Sequence, residues 1–149
     1  MSEFRKILVP VDFSDHSQHA LDRAIELAKG FGAELHLLHC YQISPGAISP
    51  YGMIVPESFE HDVRVAALRR LAEWSEKARK AGCRVQEHLS ARFPAEEIAT
   101  LAERIGADLI VMGTRGLTGI KHVLLGSVAE RTIRVAGCPV LTVKHSGAP

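Results

Sequence analysis

The chain has 149 residues, 46% of them hydrophobic and 23% charged, enough apolar material to bury roughly two-thirds of its unfolded surface in a single domain, 1–149, without staples. A formal net charge of +1 gives no electrostatic case for nucleic acid or an acidic membrane surface. The odd, widely separated cysteines Cys40, Cys83 and Cys138 show no CxxC or Cys/His ligand spacing, which argues against a disulfide framework or a zinc site. No apolar run approaches membrane-spanning length, and the first one is too short for a signal-peptide core, so the expected location is the cytoplasm.

Ile7-Leu-Val-Pro-Val is a short apolar run that follows Arg5-Lys6 and stops at Asp12; it is expected to be the first strand. Asp12-Phe-Ser-Asp-His-Ser then places capping residues ahead of Ala20, Leu21, Ala24, Ile25 and Ala28, which return at helical spacing. Gly30 or Gly32 should end that helix. Residues 34–41, with Leu35, Leu37, Leu38 and Cys40, read as a second strand.

Residues 42–56 hold three prolines, two glycines and two serines, a loop long for a compact α/β unit and so of functional interest. The next helix is expected over 57–81, with Val63, Ala67, Leu71, Trp74 and Ala78 on one stripe and Gly82 closing it. Residues 84–90 form the least regular strand and are expected at a sheet edge. Pro94 in a first turn, with Glu96 and Glu97 beside it, opens a helix through Ile98, Leu101, Ala102 and Ile105 that Gly106 stops.

Leu109 to Met112 form an unalternating apolar run, the pattern of a parallel strand covered on both faces. Gly113 ends it, and Gly116, Gly119 and Gly126 follow in a segment charged only at Arg115 and Lys121. Close backbone approach and positive charge suit a phosphate. Ser127 precedes Glu130 by three residues, a capping-box spacing that predicts a helix start with outward amides able to take an anion. Turn-making glycines and a serine that merely caps its own helix would leave the same pattern. A helix over 128–135 and a last strand, Val140 to Val143, complete the chain.

Strand and helix alternate throughout, which makes the class α/β with a parallel sheet of five strands and right-handed crossovers. The spacing Gly113-x-x-Gly116, nine residues, Gly126-Ser127 resembles the G-x2-G-x9-G-[S/T] nucleotide loop of the universal stress protein family, in its ATP-binding branch. The likeness runs from Ile7-Leu-Val-Pro-Val-Asp12 to Cys138-Pro-Val-Leu-Thr-Val143.

That resemblance implies an open, doubly wound sheet in the order 3-2-1-4-5, of the adenine nucleotide alpha hydrolase-like kind. Ligands then bind where strand order reverses, beyond the ends of the first and fourth strands. It implies a nucleotide, ATP or AMP/ADP, held by Asp12, Gly113, Gly116, Gly126, Ser127 and the N–H of Val128. Asp12 would accept from ribose hydroxyls or hold a magnesium ion; as an alternative it shares a helix cap with Ser14. The resemblance places Cys40 and Tyr41 beside the adenine, with Pro10, Val11 and Met112 lining the same pocket. Arg115 and Lys121 either reach the terminal phosphates or remain solvated.

Family members commonly carry glycine two residues before the helix-opening proline, where this chain has Arg92, a larger side chain near the pocket mouth. A side chain at Gly113 or Gly126 would occupy phosphate space, so valine at either is expected to abolish ATP binding while sparing the fold. His36 and His39 lie three apart on a strand and face opposite sides. His16 and His19 can share a helix face, but no HExxH-like carboxylate accompanies them.

The absence of GxGxxG after the first strand and of GxxxxGK[ST] anywhere argues against dinucleotide-binding and P-loop domains. A phospho-receiver domain lacks its aspartate at the end of the third strand, where Ser90 and Ala91 stand. Two functions survive: an ATP-binding regulator of the stress response, at most a slow ATPase, or a homodimeric interaction module with a vestigial or AMP-type adenylate pocket. In both, the resemblance pairs the last strand with its copy in a second subunit.

Overall fold

A computed structural model describes residues 3–42, 51–116 and 125–145. Five strands, β1 (Lys6–Pro10), β2 (Glu34–Cys40), β3 (Val85–Ser90), β4 (Leu109–Gly113) and β5 (Val140–Val143), form one sheet in the order β3-β2-β1-β4-β5. Every pairing in it is parallel. The helices among the described residues are α1 (Asp15–Phe31), α2 (Glu57–Lys80), α3 (Pro94–Ile105) and α4 (Ser127–Val135). The expected strand order is the observed one.

Alternation along the central strands sorts their side chains between two cores. Ile7, Val9, Leu35, Leu37, Leu109 and Val111 pack with Leu21 and Ala24 of α1 and Leu71 and Ala78 of α2. On the opposite face Leu8, Leu38, Ile110 and Met112 pack with Ile98 and Leu101 of α3 and Ala129 of α4. The sheet is thus covered on both sides, and this is why β1 and β4 read as unbroken apolar runs. Truncating a side chain such as Leu8, fully buried between them, would cost about 2–5 kcal/mol.

Helix ends follow the expected chemistry. Ser14 caps α1, its Oγ accepting from the Ser17 N–H, and Gly32 ends the helix in the left-handed region. Pro94 stands in the first turn of α3, with Gly106 at its end. On α2 the buried stripe is Ala67, Leu71, Ser75 and Ala78, while Val63 and Trp74 are only partly covered.

What positions the site is the juxtaposition of β1 and β4, with Ile7 opposite Leu109 and Leu8 opposite Ile110. The Asp108 carboxylate accepts from the backbone N–H groups of Arg5 and Lys6, at 2.8 and 2.9 Å, and so ties the entry of β4 to the entry of β1. Beyond Pro10 the ladder to β2 continues through one more bond, Val11 N–H to the Leu38 carbonyl at 2.8 Å. Then the chain departs at Asp12.

Candidate functional site: a cavity at the β1–β4 switch point

A cavity of about 920 Å³ opens beyond the carboxyl ends of β1 and β4. Order reverses there: β1 leads outward to β2 on one side, and β4 to β5 on the other. Its volume is within the range of small-molecule sites.

Asp12 stands on the β1 side of the cavity. Its Oδ1 accepts from the Ser14 N–H at 3.0 Å and from the Ser14 hydroxyl, and its own N–H donates to Ser17 Oγ at 3.3 Å. The cap of α1 is therefore Ser14, with Asp12 bracing it from outside the helix. The residue between them, Phe13, has φ 65°, a left-handed conformation that costs a non-glycine residue about 1 kcal/mol or more. Its ring is anchored in return. It meets Trp74 edge-on at 5.3 Å and His39 at 4.3 Å, and the Arg70 guanidinium lies 4.4 Å from its centroid.

The last residue of β4, Gly113, and the loop after it, with Arg115 and Gly116, form part of the cavity wall, and Gly126 and Ser127 complete that side. Each glycine answers a close approach. At Gly116 an added β-carbon would collide with the Asp12 carboxylate, so the β1 and β4 loops meet at this point. At Gly126 it would lie 3.2 Å from the Thr114 carbonyl oxygen and 3.3 Å from the Arg115 Cα. The Gly126 N–H donates to that same carbonyl at 2.5 Å.

Gly113 departs from the expectation that its missing side chain makes room for phosphate. A β-carbon there would stand 2.9 Å from the carbonyl carbon and oxygen of His16. This glycine lets α1 lie against β4, and the expectation that valine would spare the fold is withdrawn.

The start of α4 also differs. Gly126 occupies the N-cap position, without a side-chain cap bond, and Ser127 is the first helical residue. Ser127 therefore does not form the expected capping box with Glu130, whose N–H bonds the Gly126 carbonyl at 2.9 Å. Not being the cap, Ser127 faces the cavity at the positive end of the helix, with Val128 beside it.

The apolar part of the lining is formed by Pro10, Val11, Leu38, Cys40, Met112 and Ile98. Burial, with a smaller contribution from Glu97, pushes the Cys40 thiol up to about 12, which makes it a wall atom rather than a nucleophile. Tyr41 is buried and its N–H holds the Ser90 carbonyl at 2.9 Å; it is not among the lining residues. Arg92 does not line the cavity either. Its side chain is exposed, 3.9 Å from the buried Glu97, and its carbonyl accepts from Gln42 Nε2 at 3.3 Å. Gln42 and Ser17, both in the wall, carry no motif that would have marked them. Gly119 and Lys121 lie outside the described residues.

Histidines gather in two further places. His36 Nδ1 lies 2.9 Å from His88 Nε2, and its Nε2 lies 2.7 Å from Glu34 Oε1, on the α3 side of β2 and β3. His16 and His19 of α1 both meet His145, just beyond β5, with ring centroids at 5.1 and 4.3 Å. Among the described residues, no group of three or more His, Cys, Asp or Glu is placed to hold a metal ion, and no helix is long and apolar enough to cross a membrane. Magnesium, bound mostly through phosphate oxygens and water, needs only one or two carboxylates, and Asp12 is the carboxylate between the two loops.

A model of the universal stress protein family matches residues 3–144. The chain belongs to the universal stress protein family. This family member is 39% identical over 144 residues to the universal stress protein MJ0531 of Methanocaldococcus jannaschii, covering 95% of this chain and 82% of that one. Its fold matches the solved structure of the protein MJ0577 with a TM-score of 0.83, at 28% identity over 99% of this chain and 100% of the other. Two similar structures hold nucleotides. A universal stress protein in complex with cAMP matches with a TM-score of 0.71 and 30% identity, over 96% of this chain and 98% of that one. The universal stress protein of Archaeoglobus fulgidus in complex with dAMP gives 0.69 and 26%, over 96% and 100%.

Proposed function

We propose that this universal stress protein binds an adenine nucleotide in the switch-point cavity and belongs to the ATP-binding branch of its family. The observation that carries this reading is the cavity's division into an apolar wall and a glycine-lined rim. The wall of Val11, Cys40 and Met112 suits a purine face. The rim of Gly113, Gly116, Gly126 and Ser127, at the N-terminus of α4, suits a phosphate tail. The cAMP and dAMP complexes of similar proteins support it.

In this reading Asp12 takes the ribose hydroxyls or a magnesium ion on the phosphates, Arg115 offsets phosphate charge, and the amide of Val128 donates to a phosphate oxygen. No residue is assigned as a general base. Asp12 is engaged by Ser14, and Glu130 Oε1 accepts from Arg134 at 2.7 Å. The protein then acts as a cytoplasmic stress-response regulator whose signal is nucleotide occupancy, with hydrolysis slow at most.

The same reading includes a two-fold homodimer. β5 is an edge strand with an exposed Leu141, and Ile133 and Val135 of α4 are exposed nearby in the chain. An apolar edge left open invites pairing with a copy. Light scattering at micromolar concentration should give twice the chain mass.

Equilibrium dialysis against ATP, ADP and AMP, with and without magnesium, tests the central claim. Saturable uptake, reduced at least about tenfold by Asp12→Ala through loss of a charge-assisted contact, is the expected result. Folded protein that takes up none of the three would leave an interaction module with a vestigial pocket.

A further inference from the structure

His16 and His19, three residues apart on α1, meet His145 from beyond β5, and His16 lies beside the end of β4. The rings of His16 and His145 are tilted at 5.1 Å, and those of His19 and His145 lie edge to face at 4.3 Å. The backbone of His16 rests against Gly113, a residue of the cavity wall, and the next residue of α1, Ser17, is in that wall itself. The cluster is thus one residue removed from the cavity on α1 and in contact with it through β4.

The charges around His16 are set by elements that also build the cavity. Arg115 faces it from the β4 loop and His145 from beyond β5, while Asp12 and Asp15 face it from the approach and first turn of α1. Arg115 and Asp12 line the cavity. The Nδ1 atom of His16 is buried and finds no hydrogen-bond partner among the described residues. In the protein alone, burial first, then His145 and Arg115, hold the His16 imidazole below its ordinary pKa, against the weaker opposing pull of Asp12 and Asp15.

We propose that His16, packed against the His145 ring and the β4 backbone, is a proton-linked annex to the cavity: a polyphosphate seated on the glycine rim draws a proton onto His16, so the nucleotide binds more tightly as pH falls. The physical step is electrostatic. A bound tail of several negative charges neutralises Arg115, one of the groups that oppose protonation of His16. It also adds an attractive field that a partly buried site screens less than bulk water does. By reciprocity, whatever favours the proton on binding makes the proton favour binding. Protonation also adds one positive charge beside a cavity whose charged lining, among the described residues, is Asp12, Arg115 and Glu130, and so brings it closer to neutralising the tail.

This inference rests on the nucleotide reading of the cavity, and the test separates the two. Titration calorimetry with ATP and excess magnesium is run at about pH 8 and about pH 5.5 in two buffers of different ionisation enthalpy. The protein is compared with the double variant His16→Asn, His145→Asn. Both receive the same nucleotide, so protons belonging to ATP cancel between them.

The expected result is about threefold tighter binding at the lower pH in the unaltered chain, relative to the variant, for a shift of about half a unit. A fraction of a proton should be taken up, and affinities should be equal at pH 8. In parallel, the His16 ring resonance should titrate at higher pH with ATP present than without it. Equal proton uptake in the two proteins, or an unmoved His16 titration with ATP bound, overturns the linkage and leaves the nucleotide site standing. No binding by either protein at either pH overturns the nucleotide reading, and the linkage with it. Should the double variant fail to fold, the His16 titration in the unaltered chain decides alone.

Discussion

Gly113 and His16 approach so closely that a β-carbon on the glycine would stand 2.9 Å from the histidine's carbonyl carbon, carbonyl oxygen and Cβ. Two of those atoms are backbone, which a rotamer change cannot move. Gly113→Val must therefore push α1 off β4. A loss of about 2 kcal/mol or more is expected, as for other overpacked cores, read from the urea midpoint. Gly126→Ala meets its nearest atom at 3.2 Å and should cost clearly less. If Gly113→Val unfolds at the same midpoint as the parent chain, the α1–β4 contact is looser than described.

Phe13 allows a cleaner separation of backbone strain from side-chain contact. At φ 65° alanine would keep the strain and lose the contacts with Trp74, His39 and Arg70, whereas glycine would lose the contacts and release the strain. Phe13→Ala should thus be less stable than Phe13→Gly by about 1 kcal/mol, reversing the order seen in ordinary extended or helical positions. Thermal unfolding of the pair decides it.

Cys40 lines the cavity yet has its thiol pushed up to about 12. At pH 8 its thiolate population is about a thousandfold below that of an unperturbed cysteine, and its reaction with a disulfide reagent should slow, by less than that factor because a thiolate of higher pKa is the stronger nucleophile. Mass-resolved labelling against a model thiol provides the measurement. Rapid modification of Cys40 in folded protein would contradict the burial that raises it.

Acid should destabilise the protein through His88 and His39. Burial lowers both below the ordinary histidine value, joined at His88 by His36 and Arg104 and at His39 by Arg70, while the Val11 carbonyl and Asp12 oppose the shift at His39. A histidine whose folded pKa is depressed binds its proton more readily when unfolded. Its contribution is therefore present above the unfolded value near 6.5 and is lost as pH falls through that value toward the folded one. The His36–His88 contact adds a geometric reason, since two N–H donors cannot face each other at 2.9 Å. Urea midpoints should fall between about pH 7.5 and pH 5.5, and the double variant His36→Leu, His88→Leu should show a shallower fall, with His39 and His16 keeping part of it.

The apolar runs, caps and glycine spacings of the sequence were sufficient for five parallel strands alternating with helices, because these depend on local pattern. The strand order and most of the cavity wall came instead from the resemblance to the family, since neither is written in local pattern. Four features were not legible there. The capping role moved from Ser127 to Gly126 because a serine can serve either as cap or as first helical residue, and the Thr114 carbonyl that fixes Gly126 comes from the other end of the same β4–α4 connection. The reason for Gly113 is a helix nearly a hundred positions earlier in the chain. Arg92, a larger side chain expected near the pocket mouth, either narrowing it or touching the nucleotide, turns toward Glu97, a buried acid that periodicity marks only as part of a first helical turn. Gln42 and Ser17 reached the wall by position alone.

The Asp108 carboxylate clasps the amides of Arg5 and Lys6 across a separation of 103 and 102 residues. Because Asp108 lies 103 residues after Arg5, the clasp can close only once β4 has been synthesised, and it carries a larger closure entropy than local pairing. A nascent chain that has emerged only as far as β3 holds one bank of the crevice and not the other, so ligand can act as a final inspector of folding but not as its template. Nucleotide added during synthesis should accordingly leave the early steps untouched and trap only chains that are almost finished.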